Sequence, residues 1–504
     1  MTSGHLEIET KYDVDEGFSR PDLIGLPGVA TVDEPVEYLL EAVYFDTDDL
    51  RLLRARITLR RRTGGADAGW HLKLPVGTAR RELHAPLGRA TKNPPEALRE
   101  PVAGILRGAR ARPVATLCTR RRVTALRAMA GQLLAEVADD TVTATLLAGP
   151  DGAAEISSWR EVEVELGADD GTVAAAVGER LLAAGARPSA SASKIGRVLA
   201  GRLAAASSDG TENQTAGEFL RAALTEQVAA LQQADVMVRT EQPDAVHQVR
   251  VSARRLRSTL AAFRNVLDRT ATAPLREELS WLGGELADVR DGEVALAHLR
   301  DVVAAEPEEL VLGPVAARLQ QAEVRDGRAG LDRALRTVSE PRYLRLLDDL
   351  YALLADPPFT ALADDAVAPV LDDALRRSAR RLRRRLAAAR RAPEADRALA
   401  LHDVRKAAKR VRYAAETGRG EMSHVTELAK AAKDVQTALG EVQDTVVTRE
   451  YSRRFGIAAA AAGESSFTYG RLHALEQARA ERAERKFWAI EPTIRRTLKA
   501  AACR

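Results

Sequence analysis

Leu6-Glu7-Ile8-Glu9-Thr10-Lys11 alternates charged and uncharged side chains one by one. A period of two is the mark of a β-strand, whose successive side chains point to opposite faces. Glu7, Glu9 and Lys11 therefore share one face of one strand. Similar runs follow at Tyr44–Thr47, Arg56–Arg62, Trp70–Leu74, Arg121–Leu126, Leu133–Val137 and Arg160–Leu166. Clusters such as Thr63-Gly64-Gly65-Ala66-Asp67 and Gly149-Pro150-Asp151-Gly152 separate them and read as hairpin turns. Helical stretches are expected at about Val36–Leu40, Pro95–Gly108 and Thr172–Ala184. The first 204 residues thus form an α+β domain, mainly antiparallel sheet.

The charges on these strands are sorted. Arg54, Arg56, Thr58, Arg60 and Arg62 share a face, as do His71 and Lys73, and Glu161, Glu163 and Glu165. A solvated face usually mixes signs, because like charges side by side repel. Here acids gather on two strands and bases on others. If the sheet curls into a barrel with these faces inward, the interior is a charged tunnel. Such an interior costs many kcal/mol in desolvation unless something fills it. A polyanion with divalent metal ions would do so. Arginine and lysine grip phosphate oxygens, and carboxylates hold Mg²⁺ or Mn²⁺.

Residues 205–216, ending in SSDGTENQTA, are polar, small and aperiodic and read as a linker. From 217 to 504 Ala, Leu, Arg and Glu dominate at helical spacing, as in Phe219-Leu220, Leu224, Val228 and Leu231. The two sides differ in charge. Up to residue 215 there are 27 basic and 30 acidic residues, and beyond it 48 and 42. The helical half is duplicated. His247, Arg250, Arg254 and Arg257 recur as His402, Arg405, Lys409 and Arg412 at the same offsets, which place each set on one helical face. Leu286-Ala287-Asp288-Val289-Arg290-Asp291 is echoed by Leu439-Gly440-Glu441-Val442-Gln443-Asp444. Two related units, about 217–360 and 361–504, each a four-helix bundle, are expected. Arg376 to Arg391 adds nine arginines and no acid.

Composition excludes several classes. Two cysteines, Cys118 and Cys503, make neither a disulfide framework nor a Cys-based zinc site. Aromatics are 4%, too few for a base-stacking surface. No apolar run approaches the ~18 residues that cross a bilayer, and the N-terminus lacks a signal-peptide pattern. A cytoplasmic protein without a membrane partner is expected. No motif for sequence-specific nucleic-acid recognition is visible, although the Arg376–Arg391 stretch leaves non-specific binding open. Oligomeric state is not legible.

The pattern Glu7-Ile8-Glu9-Thr10-Lys11 resembles the ExExK signature of the CYTH domain, the triphosphate tunnel metalloenzymes. Tyr44-Phe45-Asp46-Thr47, Leu59-Arg60-Arg61-Arg62, Trp70 to Pro75, Arg80-Arg81-Glu82, Glu161 to Leu166 and Ser193-Lys194 follow in order. The resemblance implies an eight-stranded antiparallel β-barrel that hydrolyses triphosphates with a divalent metal. It implies Glu7, Glu9, Glu163, Glu165 and Asp140 as metal carboxylates. Glu161 would hold a second ion or the water. Lys11, Arg60, Arg62, Lys73, Arg81, Arg121 and Lys194 would bind phosphate. Glu161 and Lys11 would act in catalysis. The register of Arg120-Arg121-Arg122 and of Asp139-Asp140 stays open, with Arg121 and Asp140 preferred. Glu82 is a weaker candidate, His71 is expected as a structural neighbour, and Cys118 as a small buried filler.

The His-first duplicated helices resemble a CHAD domain, the conserved histidine α-helical domain. That resemblance implies two pseudo-symmetric four-helix bundles with a basic cleft for inorganic polyphosphate. His247, Arg250, Arg254, Arg257, His402, Arg405, Lys409 and Arg412 would line it, with Arg471 and His473 as a further pair. The combined expectation is a metal-dependent inorganic triphosphatase with a helical polyphosphate anchor, with polyphosphate granules as a further location. The alternatives are a non-catalytic polyphosphate scaffold and an enzyme for an organic triphosphate, thiamine triphosphate or a nucleotide. Histidine in the cleft predicts that polyphosphate affinity rises from pH 8 to 6.

Overall fold

The computed structural model describes residues 3–77, 79–88, 93–147, 155–167, 171–204, 215–418 and 423–503. The turn at Gly149–Gly152 and most of the linker lie outside these residues. So do the side chains of Asp288, Asp291 and Cys503. The chain divides into two compact units, Met1–Asp209 and Gly210–Arg504.

The first unit is a curled antiparallel sheet. Its strands are β1 (Ser3–Glu7), β2 (Glu9–Val14), β3 (Thr31–Val32), β4 (Val36–Asp46), β5 (Thr58–Thr63), β6 (Gly69–Val76), β7 (Ala79–Ala85), β8 (Arg112–Arg127), β9 (Leu133–Leu146), β10 (Glu155–Leu166) and β11 (Arg187–Pro188). The pairing order is β1-β7-β6-β5-β4-β8-β9-β10-β2-β11, with β3 on β8. β1 and β2 are two stretches of one strand, interrupted only at Ile8. One stretch pairs with β7 and the other with β10. The two ends of the sheet thus meet in the same segment, and eight long staves make a barrel.

The period-2 pattern sorts the two faces. Val162 and Val164 of β10 and Tyr12 and Val14 of β2 face outward and are buried under α4 (Thr172–Ala183), against Val173, Val177 and Leu181. Each such aliphatic side chain contributes about 1.5–3 kcal/mol when fully buried. Short helices α1 (Arg51–Arg54), α2 (Glu96–Arg99) and α3 (Ala103–Leu106) occupy the connections. Two more follow the sheet, α5 (Lys194–Val198) and α6 (Ala200–Ala204). Ile195 and Leu199 pack among the inward-facing Ala42, Tyr44, Leu117, Val142 and Ala144. Part of the interior is therefore an apolar plug and the remainder is charged.

Two local expectations are corrected. Val36–Leu40 is strand rather than helix, because Tyr38, Leu40, Ala42 and Tyr44 continue one inward face of β4. Arg54 and Arg56 do not extend the face of β5. Arg54 ends α1, and Arg56 has a left-handed φ of 61° that turns the chain before Thr58. Buried Asp46 fixes this turn by accepting the backbone N–H groups of Thr47, Leu52 and Leu53 at 2.7, 2.9 and 2.9 Å.

The described part of the second unit is almost entirely helical. Its helices are α7 (Ala216–Arg239), α8 (Ala245–Ala262), α9 (Arg269–Glu285), α10 (Ala287–Ala304), α11 (Val315–Ser339), α12 (Pro341–Ala355), α13 (Val367–Arg391), α14 (Glu394–Thr417), α15 (Ser423–Ala461) and α16 (Phe467–Cys503). Thr215 caps α7 in a capping box with Glu218. The duplication is visible as length. α9 and α10, separated only by Leu286, together match the 39-residue α15. α11 and α12, parted at Glu340 before a helix-starting proline, match α16. Each half is thus four rods. One apolar cluster runs through both halves, including Leu256 of α8, Leu346 of α12, Leu375 of α13, Val411 of α14 and Phe487 of α16.

Candidate active site and basic cleft

All eight barrel staves send side chains into one cavity of about 430 Å³. Glu7, Glu9 and Lys11 come from the split strand, Arg60 and Arg62 from β5, and Lys73 from β6. Arg121 comes from β8, Glu163 and Glu165 from β10, and Lys194 from the start of α5. Register explains the convergence. Lys11 stands opposite Glu163 and Glu9 opposite Glu165. Arg121 stands opposite Asp140, and Asp140 opposite Glu161.

Interior charges neutralise one another. Lys11 contacts Glu163 and lies 3.3 Å from Glu9. Lys73 contacts Glu7. Arg121 grips Asp140 through two hydrogen bonds of 2.8 and 2.6 Å and also reaches Glu163. Lys194 Nζ lies 2.6 Å from Glu161, 2.6 Å from Glu163 and 2.9 Å from Asp140. Asp140, Glu161 and Glu163 are buried and offer oxygens within 4.8 Å of one another, so they could hold a metal ion. Burial alone would raise the Glu163 carboxyl, but Lys11, Lys194 and Arg121 hold it well below its ordinary range.

Glu7 and Glu82 hydrogen-bond to one another. Burial, and then its hydrogen bond with Glu82, push Glu7 up to about 7, against the pull of Lys73. Burial opposes ionisation of Glu82 too. His71, Glu7, Lys73 and Arg60 nevertheless hold it low. His71 Nδ1 is 2.8 Å from Glu82 and Nε2 is 3.0 Å from the Asp67 carbonyl. Two acceptors favour a charged ring. Burial and then Arg60 and Arg62 oppose it, and the balance lies at about 4. His71 is thus the wall behind Glu82. Burial raises Glu165, and the charges of Glu136 and Glu9 add to that against Lys73.

Three sequence readings need correction. Arg81 faces away from the cavity, because β7 turns Arg80 and Glu82 inward and pairs Arg81 with Leu74. Glu161 lies behind Glu163, held by Trp159 Nε1 at 2.5 Å and by Lys194, so it is not placed to position water in the cavity. Asp140 stands with Glu161 behind the cavity lining, in the acidic group that Glu163 completes. Cys118 is exposed. The open registers resolve to Arg121 and Asp140, while Asp139 pairs with Arg160. Sequence reasoning missed Glu136, Arg80 and Tyr44. Glu136 was detectable, since it precedes Asp140 by two full periods of the same strand.

In the helical unit both repeats face one cavity of about 650 Å³. His247, Arg250 and Arg254 of α8 meet His402, Arg405, Lys409 and Arg412 of α14. Arg257 lies in a neighbouring cavity of about 710 Å³, which shares Arg254, His402 and Lys409 with the first. Arg410 also lines that second cavity and a third, of about 870 Å³, with Arg264, Arg377, Arg381 and Arg384. Backbone and neutral groups help to position three of the α8 arginines. Arg250 donates to the Ala287 carbonyl at 2.8 Å, Arg254 to the Tyr413 hydroxyl at 3.1 Å and Arg257 to the Ser280 hydroxyl at 2.7 Å. Burial and then Arg381, Arg276, Arg257 and Arg264 lower Arg410 to about 10. Burial and then Lys406, Arg405 and Lys409 lower His402, whose Nδ1 is 3.0 Å from Gln443. Arg471 and His473 are not brought to the cleft. Arg471 pairs with Glu306. His298 and Arg479 line the cleft unforeseen, with His298 2.8 Å from buried Glu476.

The geometry agrees with comparison to known proteins. Residues 5–196 match the CYTH domain and residues 222–453 the CHAD domain. The chain therefore belongs to the CYTH–CHAD family. Two uncharacterized proteins of Mycobacterium tuberculosis, from strains CDC 1551 / Oshkosh and H37Rv, are each 38% identical over 509 residues, covering 98% of this chain and 97% of theirs. The solved CHAD domain of the plant Ricinus communis is 27% identical, with TM-score 0.46, covering 58% of this chain and 96% of that one. PptA from Streptomyces chartreusis is 23% identical, with TM-score 0.46, covering 55% and 98%. Among the described residues no helix is long and apolar enough to cross a membrane.

Proposed function

We propose that the barrel hydrolyses inorganic triphosphate or polyphosphate with a divalent metal, and that the helical unit binds polyphosphate. The observation that carries this reading is the barrel cavity. Lys11, Arg60, Arg62, Lys73, Arg121 and Lys194 share it with Glu7, Glu9, Glu136, Glu163 and Glu165. Cations alone would suit a binder, and the interleaved carboxylates suit a metal–phosphate complex. The donor set is all carboxylate oxygen, which fits Mg²⁺ or Mn²⁺. Glu9 and Glu165 face each other in register, and Glu136 faces Glu165. This group, with Glu7, would hold the ion, and it would supply charge neutralisation and orientation at the phosphates.

The remaining work falls to the chain. Arg60, Arg62 and Lys73 bind phosphate oxygens and stabilise charge on the leaving phosphate. Burial and neighbouring carboxylates raise Glu165, so a cation held by this group would relieve their mutual repulsion. The apolar plug of Ile195 and Leu199 keeps part of the interior dry, which strengthens these interactions.

In the helical unit, three cavities linked in series, the first to the second through Arg254, His402 and Lys409 and the second to the third through Arg410, favour a long flexible polyanion over a compact one. Phosphate needs charge and donors rather than base-reading groups. A polymer held there raises its local concentration for the barrel. Both units would act in the cytoplasm or on polyphosphate granules.

The test is phosphate release from tripolyphosphate, ATP and long-chain polyphosphate, with and without Mg²⁺ or Mn²⁺, for the wild type, Glu7→Gln and Lys73→Ala. Metal-dependent release from tripolyphosphate, lost in both variants, supports the reading. Preferred release from ATP would move the substrate to an organic triphosphate. No release, with polyphosphate binding intact, would leave a binder.

A further inference from the structure

The carboxylates Asp140, Glu161 and Glu163 and the cation Lys194 were each read from the sequence as partners of something else, the acids of metal and the lysine of phosphate. In the structure they are partners of one another. Lys194 Nζ lies within 2.9 Å of an oxygen of all three acids. Its side chain is only 9% exposed. Those oxygens form the acidic cluster able to hold an ion, and the ammonium sits against each of its members.

Charge counting shows the consequence. Three carboxylates face Lys194, Arg121 and Lys11, so the cage is already neutral. A divalent ion added to it would create a local excess of two positive charges. In a dry site that excess is strongly unfavourable. Two changes would relieve it together: Lys194 leaves, and an anion arrives. The geometry permits both. Arg121 and Lys11 project from barrel strands, whereas Lys194 is the first residue of the five-residue helix α5. Its preceding stretch, Ser189-Ala190-Ser191-Ala192-Ser193, is small and polar. Lys194 also lines the cavity in which phosphate would lie.

We propose that Lys194 is a tethered cation that exchanges with a divalent ion in the Asp140–Glu161–Glu163 cage, moving its ammonium onto the phosphate as it leaves. The inference rests on the tunnel reading given above. It makes occupation of the cage by metal conditional on the anion, and this cage is distinct from the Glu9–Glu136–Glu165 group.

The experiment counts Mn²⁺ bound to the full chain, by calorimetry and by electron paramagnetic resonance of free Mn²⁺. It is run with and without imidotriphosphate, a tripolyphosphate analogue with nitrogen bridges. Wild type is expected to bind one more Mn²⁺ with the analogue than without. Lys194→Met, which keeps length and loses charge, should bind that additional ion without the analogue, about tenfold or more tightly than wild type does, as expected for removal of one nearby positive charge. Lys194→Arg should behave as wild type. Lys194→Met/Glu161→Gln should lose the gain, which assigns the ion to the cage.

Equal Mn²⁺ binding by wild type and Lys194→Met without analogue would overturn the proposal. If Lys194→Met does not fold, the wild type decides through reductive methylation of Lys194, read by mass spectrometry. Mn²⁺ together with the analogue should change its labelling, and identical labelling under all conditions overturns the exchange. Exchange without phosphate release would sink the hydrolase reading alone. Release without exchange would sink this inference alone.

Discussion

The barrel and the helical unit are both rich in arginine and lysine, yet they treat the charge in opposite ways. In the barrel nearly every inward cation meets a carboxylate: Lys11 on Glu163, Lys73 on Glu7, Arg121 on Asp140, Lys194 on three acids. In the helical clefts cations outnumber acids: Arg412 meets Glu416, Arg390 meets Glu491 and Lys406 meets Asp403, while Arg410 is lowered to about 10 by burial and four arginines. The difference separates two tasks. Interleaved charges can be exchanged for metal and phosphate without leaving a large net charge. An array with cations in excess gains most when an anion arrives, and it binds without any need for turnover.

The largest expected effect that would break this comparison is on turnover. Lys73→Ala should lower kcat/KM for tripolyphosphate by about 100-fold or more, as loss of a charge-stabilising group commonly does. His247→Ala plus His402→Ala should leave it unchanged while weakening long-chain polyphosphate binding. Steady-state phosphate release and a filter-binding titration check the pair. Equal effects in both assays would merge the two sites.

Next comes stability. Glu163→Ala leaves Lys11, Lys194 and Arg121 facing each other in a buried site, and should cost the barrel about 3–5 kcal/mol. Arg410→Leu relieves repulsion and should leave the unfolding midpoint unchanged or higher while weakening polyphosphate binding. Urea unfolding followed by tryptophan fluorescence checks both, with Trp70 and Trp159 reporting the barrel once Trp281 and Trp488 are replaced by phenylalanine, and Trp281 and Trp488 reporting the helical unit in the converse replacement.

A smaller effect is on pH. Glu7 titrates at about 7 in the folded protein, above its ordinary 4.5. The folded state therefore holds a proton that the unfolded state has lost, and in the metal-free barrel this stabilisation fades as pH rises through about 7. Metal affinity should rise over the same interval, since the carboxylate is the ligand, and Glu7→Gln should abolish that rise. His402 has the opposite linkage. Burial and its cationic neighbours lower it, so its charge appears below its ordinary 6.5. Polyphosphate affinity should stay flat from pH 8 to 7 and climb only on the acid side. His402→Gln should flatten the climb.

The smallest is on salt. Between low and moderate salt, polyphosphate binding to the open cleft should weaken more than KM for tripolyphosphate in the barrel, because buried pairs are less screened than exposed ones. Parallel titrations at several salt concentrations measure both slopes.

Much of this arrangement was legible because side-chain period and charge sign are local properties. Glu7-Ile8-Glu9-Thr10-Lys11 announced an inward face, and the His247/His402 spacing announced the repeat. What failed was register and competition. Arg80-Arg81 offers two arginines for one inward position, and the sequence does not say which one β7 turns inward. Val36–Leu40 is short enough to read either way, and only pairing with β8 fixes it as strand. Glu161 carries the right chemistry on the right face, but Lys194 and Trp159 claim it. His298 and Arg479 lie outside the repeated motif, so no internal comparison pointed to them.

The split at Ile8 gives the N-terminal strand a role in how the barrel comes into being. This strand is made first, yet its partner β10 ends at residue 166, and loop closure over so long a separation is slow. Until that pairing forms, both borders of the sheet are open and adhesive. The acids and the lysine of the tunnel ride on the stave that closes it. Glu9 and Lys11 therefore meet Glu165 and Glu163 only once β2 pairs with β10. The pairing that completes this part of the site also helps to close the sheet, and a chain stopped short of β10 has neither.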